Sequence, residues 1–196
     1  MTSDAARPLP ASLTTRLAAM YGEPQRHYHT LAHVEALLRW LRHWQALAHE
    51  PRLIEAAIWF HDAVYDPQRS DNEARSAALA RDELRALDWA TQDIERVAAL
   101  VLATQHHDAD ADDTDAWLFL DLDLSVLAQS AAHYAAYSAG VRAEYGWVDE
   151  AHFRAGRAAV LRSFVERDAV YRTPELHAAW EAAARANLAA ELSGLA

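Results

Sequence analysis

The chain has 196 residues, 52% hydrophobic and 24% charged, enough to bury one sizeable core and short for two domains. It has no cysteine, and all 18 basic residues are arginine. That removes disulfides, thiolate chemistry, cysteine-ligated metals, Schiff bases and the lysine-bearing phosphate loop. The net charge of −11 argues against a nucleic-acid polymer as partner and leaves 11 histidines and 29 carboxylates as the tools of any chemistry.

Residues 1–10, polar with two prolines, are expected to form a flexible N-terminus ahead of one domain spanning 11–196. Apolar periodicity predicts a first helix over 11–21, closed by Gly22-Glu23-Pro24. A second helix is predicted over 30–48, with Val34, Leu37, Leu38, Leu41, Trp44 and Ala48 as its apolar stripe. Pro51 suits the first turn of a third helix, predicted to run as far as Asp66-Pro67. Ser70-Asp71-Asn72-Glu73 reads as a capping box opening a fourth, to Leu87. Thr91 is predicted to cap a fifth, to His106.

Asp108, Asp110, Asp112, Asp113 and Asp115 then crowd into eight positions. Asp113 stands where a calcium loop needs its sharp-turn glycine, and Phe119 where it needs the bidentate glutamate, so the stretch reads as a solvated loop. Further helices are predicted over 116–129 and 131–145, from an Asp149 cap to Val170, and after Pro174. No segment alternates with period two, so the expectation is an all-α single domain of eight or nine helices. No apolar run reaches a membrane span and no signal pattern opens the chain, so a cytoplasmic address without membrane partners is expected. A homodimer is left open.

Three groups of residues stand out chemically. His61-Asp62 ends the apolar run Ile58-Trp59-Phe60, where an ionised aspartate costs several kcal/mol unless a cation or hydrogen bonds offset it. His29 and His33 are one helical turn apart, and His33 borders the apolar stripe. Asp121 and Asp123 sit in the apolar run Phe119-Leu120-Asp121-Leu122-Asp123-Leu124. A core histidine, helix-end aspartates and capping are the plainer readings of each group taken alone.

The order His33, then His61-Asp62, then Asp121 or Asp123, on separate helices, resembles the HD superfamily of metal-dependent phosphohydrolases, whose pattern is H…HD…D. The stretches Arg26-His27-Tyr28-His29-x-x-x-His33, Phe60-His61-Asp62-Ala63-Val64-Tyr65-Asp66-Pro67 and Asn72-Glu73-x-x-Ser76 are similar to one subgroup of predicted phosphohydrolases. So are Asp121-Leu122-Asp123-Leu124, Val141-Arg142-x-Glu144-Tyr145 and the segment from Phe153 to Thr173.

The resemblance implies an HD-type helical domain with His33, His61, Asp62 and either Asp121 or Asp123 as metal ligands, Asp121 slightly favoured. A mixed N/O set suits one or two divalent ions, among Mn, Fe, Co, Ni, Zn and Mg. The implied reaction is attack of a metal-activated water on the phosphorus of a small phosphorylated metabolite, a nucleotide in the first instance. Asp62 and Glu73 are the candidate acid–base groups, while Arg26, Tyr28, His29 and Asn72 are the candidate substrate contacts. Arg26 is the first choice for gripping phosphate, ahead of Arg142, Arg157, Arg167 and Arg172. His106-His107 would be available to a second metal. Several nucleotidase relatives carry a glutamate three residues after the His-Asp pair, where this chain has Tyr65. Two alternatives stay open: a metal-stabilised nucleotide-binding or sensor protein, and a di-metal HD-type oxygenase.

Overall fold

Alanine and leucine in long amphipathic runs make helix the low-energy choice along most of this chain. A computed structural model describes residues 8–195. Among these there are nine α-helices and no strand, as the periodicity predicts. They are α1 (Ala11–Met20), α2 (Leu31–His43), α3 (Pro51–Phe60), α4 (Asn72–Ala86), α5 (Thr91–Ala103), α6 (Thr114–Asp123), α7 (Ala131–Glu144), α8 (Glu150–Val165) and α9 (Pro174–Leu195). Short 3₁₀ turns cover Gln45–Leu47 and Leu124–Ala128. Residues 1–7, which carry most of the expected flexible N-terminus, lie outside the described residues; Pro10 is the N-cap of α1. No helix among the described residues is long and apolar enough to cross a membrane.

The chain forms two compact units, the first ending at Leu120 and the second beginning at Asp121, inside α6. In the first unit α3 is the central element. Leu53, Ile54, Ala56, Ala57, Ile58 and Phe60 are all buried, so the helix is apolar nearly all round. It packs against α1, α2, α4 and α5. Each large side chain sealed there contributes about 1.5–3 kcal/mol of transfer free energy.

Several boundaries differ from the sequence expectation, each for a visible reason. The third helix stops at Phe60, six residues before Asp66, because the carbonyls beyond it are taken by side chains rather than by the next helical turn. The capping box before α4 does not form. Asp71 is the N-cap without a side-chain cap bond, since both its oxygens accept from Arg69. Thr91 is the first residue of α5 and not its cap, which is Ala90. Asp149 does cap α8, accepting from the amides of Ala151 and His152.

The acidic stretch is not simply solvated. Asp113 takes a two-pronged ion pair from Arg96, at 2.6 Å on both branches. Asp115 is buried and accepts from the amides of His49 and Glu50, at 2.8 and 2.7 Å, just ahead of α3. These two carboxylates fasten the start of α6 to its surroundings, whereas Asp108, Asp110 and Asp112 stay exposed.

In the second unit α9 presents Leu176, Trp180, Ala184 and Leu188 at four-residue intervals, all buried. It packs against α8 and the 124–128 turn. Asn187 closes that turn by donating to the carbonyls of Leu127 and Gln129, both at 2.8 Å.

Candidate metal centre

His33 lies in the first turn of α2, and Thr30 precedes that helix as its N-cap. His29 therefore sits outside the helix, and the expected one-turn pairing of His29 with His33 on a helix face is not formed. His61 occupies the C-cap of α3, with its amide on the carbonyl of Ala57, and Asp62 starts the turn that follows. The His-Asp pair is thus placed at a helix end and not within the helix, where backbone direction is free to turn both side chains to one point.

The imidazoles meet through their Nε2 atoms, 3.3 Å apart, and both are buried. Asp62 brings Oδ2 to 3.1 Å from Nε2 of His61. Among the described residues, His33, His61 and Asp62 form the group of three whose ligand atoms all lie within 4.8 Å of one another. The opposite ring nitrogen settles the tautomer of His61. Nδ1 of His61 is 2.9 Å from the carbonyl of Ile58, which can only accept, so this nitrogen carries the proton and the neutral ring's lone pair lies at Nε2. Nδ1 of His33 is 3.2 Å from the hydroxyl of Tyr28, a partner that leaves its Nε2 pointing at His61. Phe119 packs edge-on against His61 at 6.0 Å and keeps that side of the ring dry.

This donor set fits a metal ion. Two nitrogens each about 2.1 Å from one ion stand roughly 3.0 Å apart at a right angle and roughly 3.4 Å apart at the tetrahedral angle. The observed 3.3 and 3.1 Å separations fall in that interval. Two imidazole nitrogens and a carboxylate oxygen belong to the N/O class that binds divalent transition metals and magnesium.

The remaining expected site residues are placed as follows. Asp121 belongs to the second unit, where it is buried and accepts from the amides of Arg172 and Thr173. Burial pushes its carboxyl up to about 6 despite those bonds. Asp123, two residues on, is half-buried at the end of α6. Glu73 stands half-buried in the first turn of α4. The His29 ring packs on Tyr65 at 4.4 Å and edge-on to Tyr28 at 4.8 Å. His106 and His107 lie past the end of α5, outside the three-residue group.

Arg26 corrects the sequence reading of a phosphate grip. Its side chain is fully buried and its donors go to protein atoms: the carbonyls of His29 (3.0 Å), Asp62 (2.7 Å) and Ala63 (2.9 Å), and the carboxylate of Glu23 (3.1 Å). Asn72 is also turned to the backbone. It accepts from the Asp66 amide at 3.0 Å and donates to the Asp66 carbonyl at 2.9 Å. Arg142 donates to the carbonyls of Tyr145 and Val148, and Arg157 is paired with Glu191.

Two residues given no role by the sequence reading complete the surroundings. Ser76 accepts from the amide of Val64 and donates to its carbonyl, and Gln25 donates to the carbonyl of Tyr65. Five consecutive carbonyls, from Asp62 to Asp66, each accept from a side chain. The one sequence signal was the polar residues of Asn72-x-x-x-Ser76 at helical spacing, which gives no partner.

Comparison with known proteins finds no match: no family model fits the chain, and neither a curated protein nor a solved structure matches it.

Proposed function

We propose that this protein is a metal-dependent phosphohydrolase of the HD type, acting on a small phosphorylated metabolite, a nucleotide being the first candidate. The observation that supports it is the convergence of two buried Nε2 atoms and one carboxylate oxygen at a protected point. A histidine pair kept only for packing has no need of both outer nitrogens held by hydrogen-bond partners and both inner ones turned together. The sequence order H…HD…D points the same way.

When bound, a divalent ion supplies positive charge to a phosphoryl oxygen and brings a water toward ionisation near neutral pH. His61 and His33 hold it through Nε2 while Ile58 and Tyr28 fix their rings. The Asp62 side chain is 17% exposed, so its carboxylate stands at the edge between the buried imidazoles and solvent. There the carboxylate is the group in this scheme that takes the proton of the attacking water. Glu73 is the second acid–base candidate in this scheme. With Arg26 buried, the charge on the phosphate is met by the ion first. A cytoplasmic address belongs to the same proposal.

The test is metal analysis of purified protein, followed by phosphate release from a panel of nucleotides and sugar phosphates. Stoichiometric metal is expected in the wild type, and its loss in the His61→Ala/Asp62→Ala variant with helicity retained. Metal kept by that variant sinks the site. Metal bound by the wild type with no phosphate released from any panel member overturns the hydrolase reading and leaves a binding protein.

A further inference from the structure

We infer that Arg26 is a positioning residue of the metal centre: its buried guanidinium sets the spacing between His33 and the His61-Asp62 pair, and through it the affinity for the ion. This rests on the metal-site reading above and adds a residue that touches neither ion nor substrate.

An unpaired guanidinium inside a protein is strongly unfavourable, so its donors must all find partners. Arg26 lies between two aromatic faces, with its central carbon 5.0 Å from the Tyr21 ring and 5.3 Å from the Tyr65 ring. That slot fixes the plane of the fork. One terminal nitrogen, Nη1, reaches both His29 and Asp62, and Nη2 reaches Ala63. His29 is in the segment that leads into α2 and His33. Asp62 and Ala63 are in the segment that leaves α3 after His61. The fork therefore ties the backbone of one ligand-bearing segment to that of the other, through a single nitrogen.

The rest of the turn is held by different hands. Ser76 holds Val64 by both its amide and its carbonyl, Gln25 holds Tyr65, and Asn72 holds Asp66 by both groups. Of these, Gln25 lies on the α2 side, but it is exposed and its bond is 3.3 Å long. Ser76 and Asn72 belong to α4 and bear on the turn alone. Arg26 is thus a buried link between the backbones of the two ligand segments. Planar fork geometry is needed for this: one Nη spans two carbonyls while its neighbour takes a third, which a single ammonium on a flexible stem cannot reproduce.

Removal of such an outer partner of a metal ligand typically weakens metal binding on the order of 10- to 100-fold. The experiment uses the full chain, stripped of metal and titrated with Co²⁺, read both as affinity and as the visible absorption spectrum of the bound ion. Arg26→Met is expected to lose affinity by that factor and to change the spectrum, because the ligand angles change. Ser76→Ala is the control, expected to lower the melting temperature while leaving the Co²⁺ spectrum and affinity as in the wild type. Should Arg26→Met not fold, Arg26→Lys is read in its place. It keeps the charge between the two rings but not the fork, and the same loss of affinity and altered spectrum are expected. Unchanged affinity and spectrum in the folded Arg26 variant overturn the positioning role alone, provided His61→Ala abolishes Co²⁺ binding. If the wild type binds no Co²⁺, or His61→Ala binds as the wild type does, the metal-site reading itself fails and this inference falls with it.

Discussion

Glu191→Gln isolates a buried charge with almost no change in volume. Glu191, on α9, receives four side-chain donors: Nε of Arg157 at 2.8 Å and Oγ of Ser138 at 2.9 Å on Oε1, then Nη2 of Arg157 at 3.0 Å and the hydroxyl of Tyr134 on Oε2. The pair is sealed, with the Arg157 and Glu191 side chains 7% and 11% exposed, and Arg157 also donates to the hydroxyl of Tyr137. Whichever way a glutamine amide is turned, its NH₂ faces two donors, one of them on the guanidinium. The arginine is then left charged and buried beside a dipole that repels it. Breaking a pair of this kind costs about 3–5 kcal/mol, and that loss is expected at pH 7 from urea unfolding followed by circular dichroism. Replacing both members, Arg157→Met with Glu191→Gln, removes the orphaned charge, so the double variant should cost about 2–3 kcal/mol less than the sum of the singles.

The same pair gives a pH dependence of definite sign. Burial works to raise the Glu191 carboxyl, but Arg157 and the hydroxyls of Tyr134 and Ser138 outweigh it and hold the group below its ordinary value of 4.5. A carboxyl depressed in the folded state stabilises fully above the unfolded value and loses that contribution as pH falls through the folded one. The gap between wild type and Glu191→Gln should therefore be widest at neutral pH and narrow below about pH 4.5. Additive single variants, or a gap that widens in acid, would refute the reasoning.

Three further outcomes follow from single contacts. Tyr28→Phe removes the partner of Nδ1 on His33, so divalent-metal affinity should fall on the order of 10-fold by calorimetry; an unchanged affinity denies Tyr28 its orienting role. Asp115→Asn turns an NH₂ against the amide of His49 or Glu50 and should cost about 2–3 kcal/mol, read as a lower melting temperature. A melting temperature unmoved by Asp115→Asn would show that the link ahead of α3 carries no stability. Ile58→Ala opens a cavity in the fully buried centre of the first unit and should cost about 2–5 kcal/mol; a loss under about 1 kcal/mol would mean that α3 is not its core.

What the sequence made legible was whatever periodicity encodes. Val34, Leu37 and Leu41 mark the inner face of α2, the apolar run at 53–60, interrupted by the exposed Glu55, marks a helix buried nearly all round, and the absence of alternation excludes sheet. Asp149 was readable as a cap because its partners, Ala151 and His152, are its own neighbours in the chain. The Ser70–Glu73 capping box was misread for the complementary reason: the cap falls one residue later, at Asp71, whose carboxylate Arg69 claims, and a capping pattern does not include competitors. The end of α3 was misplaced because Arg26 and Ser76, 37 and 12 residues away from their partners Ala63 and Val64, claim the carbonyls that would otherwise belong to the helix.

The candidate site divides along the same line. His33 and the His61-Asp62 pair could be named because apolar neighbours make ionisable groups conspicuous, and the structure brings those three together. The role of Arg26 could not be read, because proximity in sequence to His27, Tyr28 and His29 suggests a group aimed outward with them. The distinction lies in Tyr21 and Tyr65, which flank the guanidinium from two separate segments and turn a nominal ligand-binding cation into a buried fastener. A chain without lysine makes that error easy, because every cation it has is a fork equally suited to phosphate and to backbone carbonyls. Only the partners decide which of the two a given arginine serves, and for Arg26 those partners are three carbonyl oxygens and the carboxylate of Glu23.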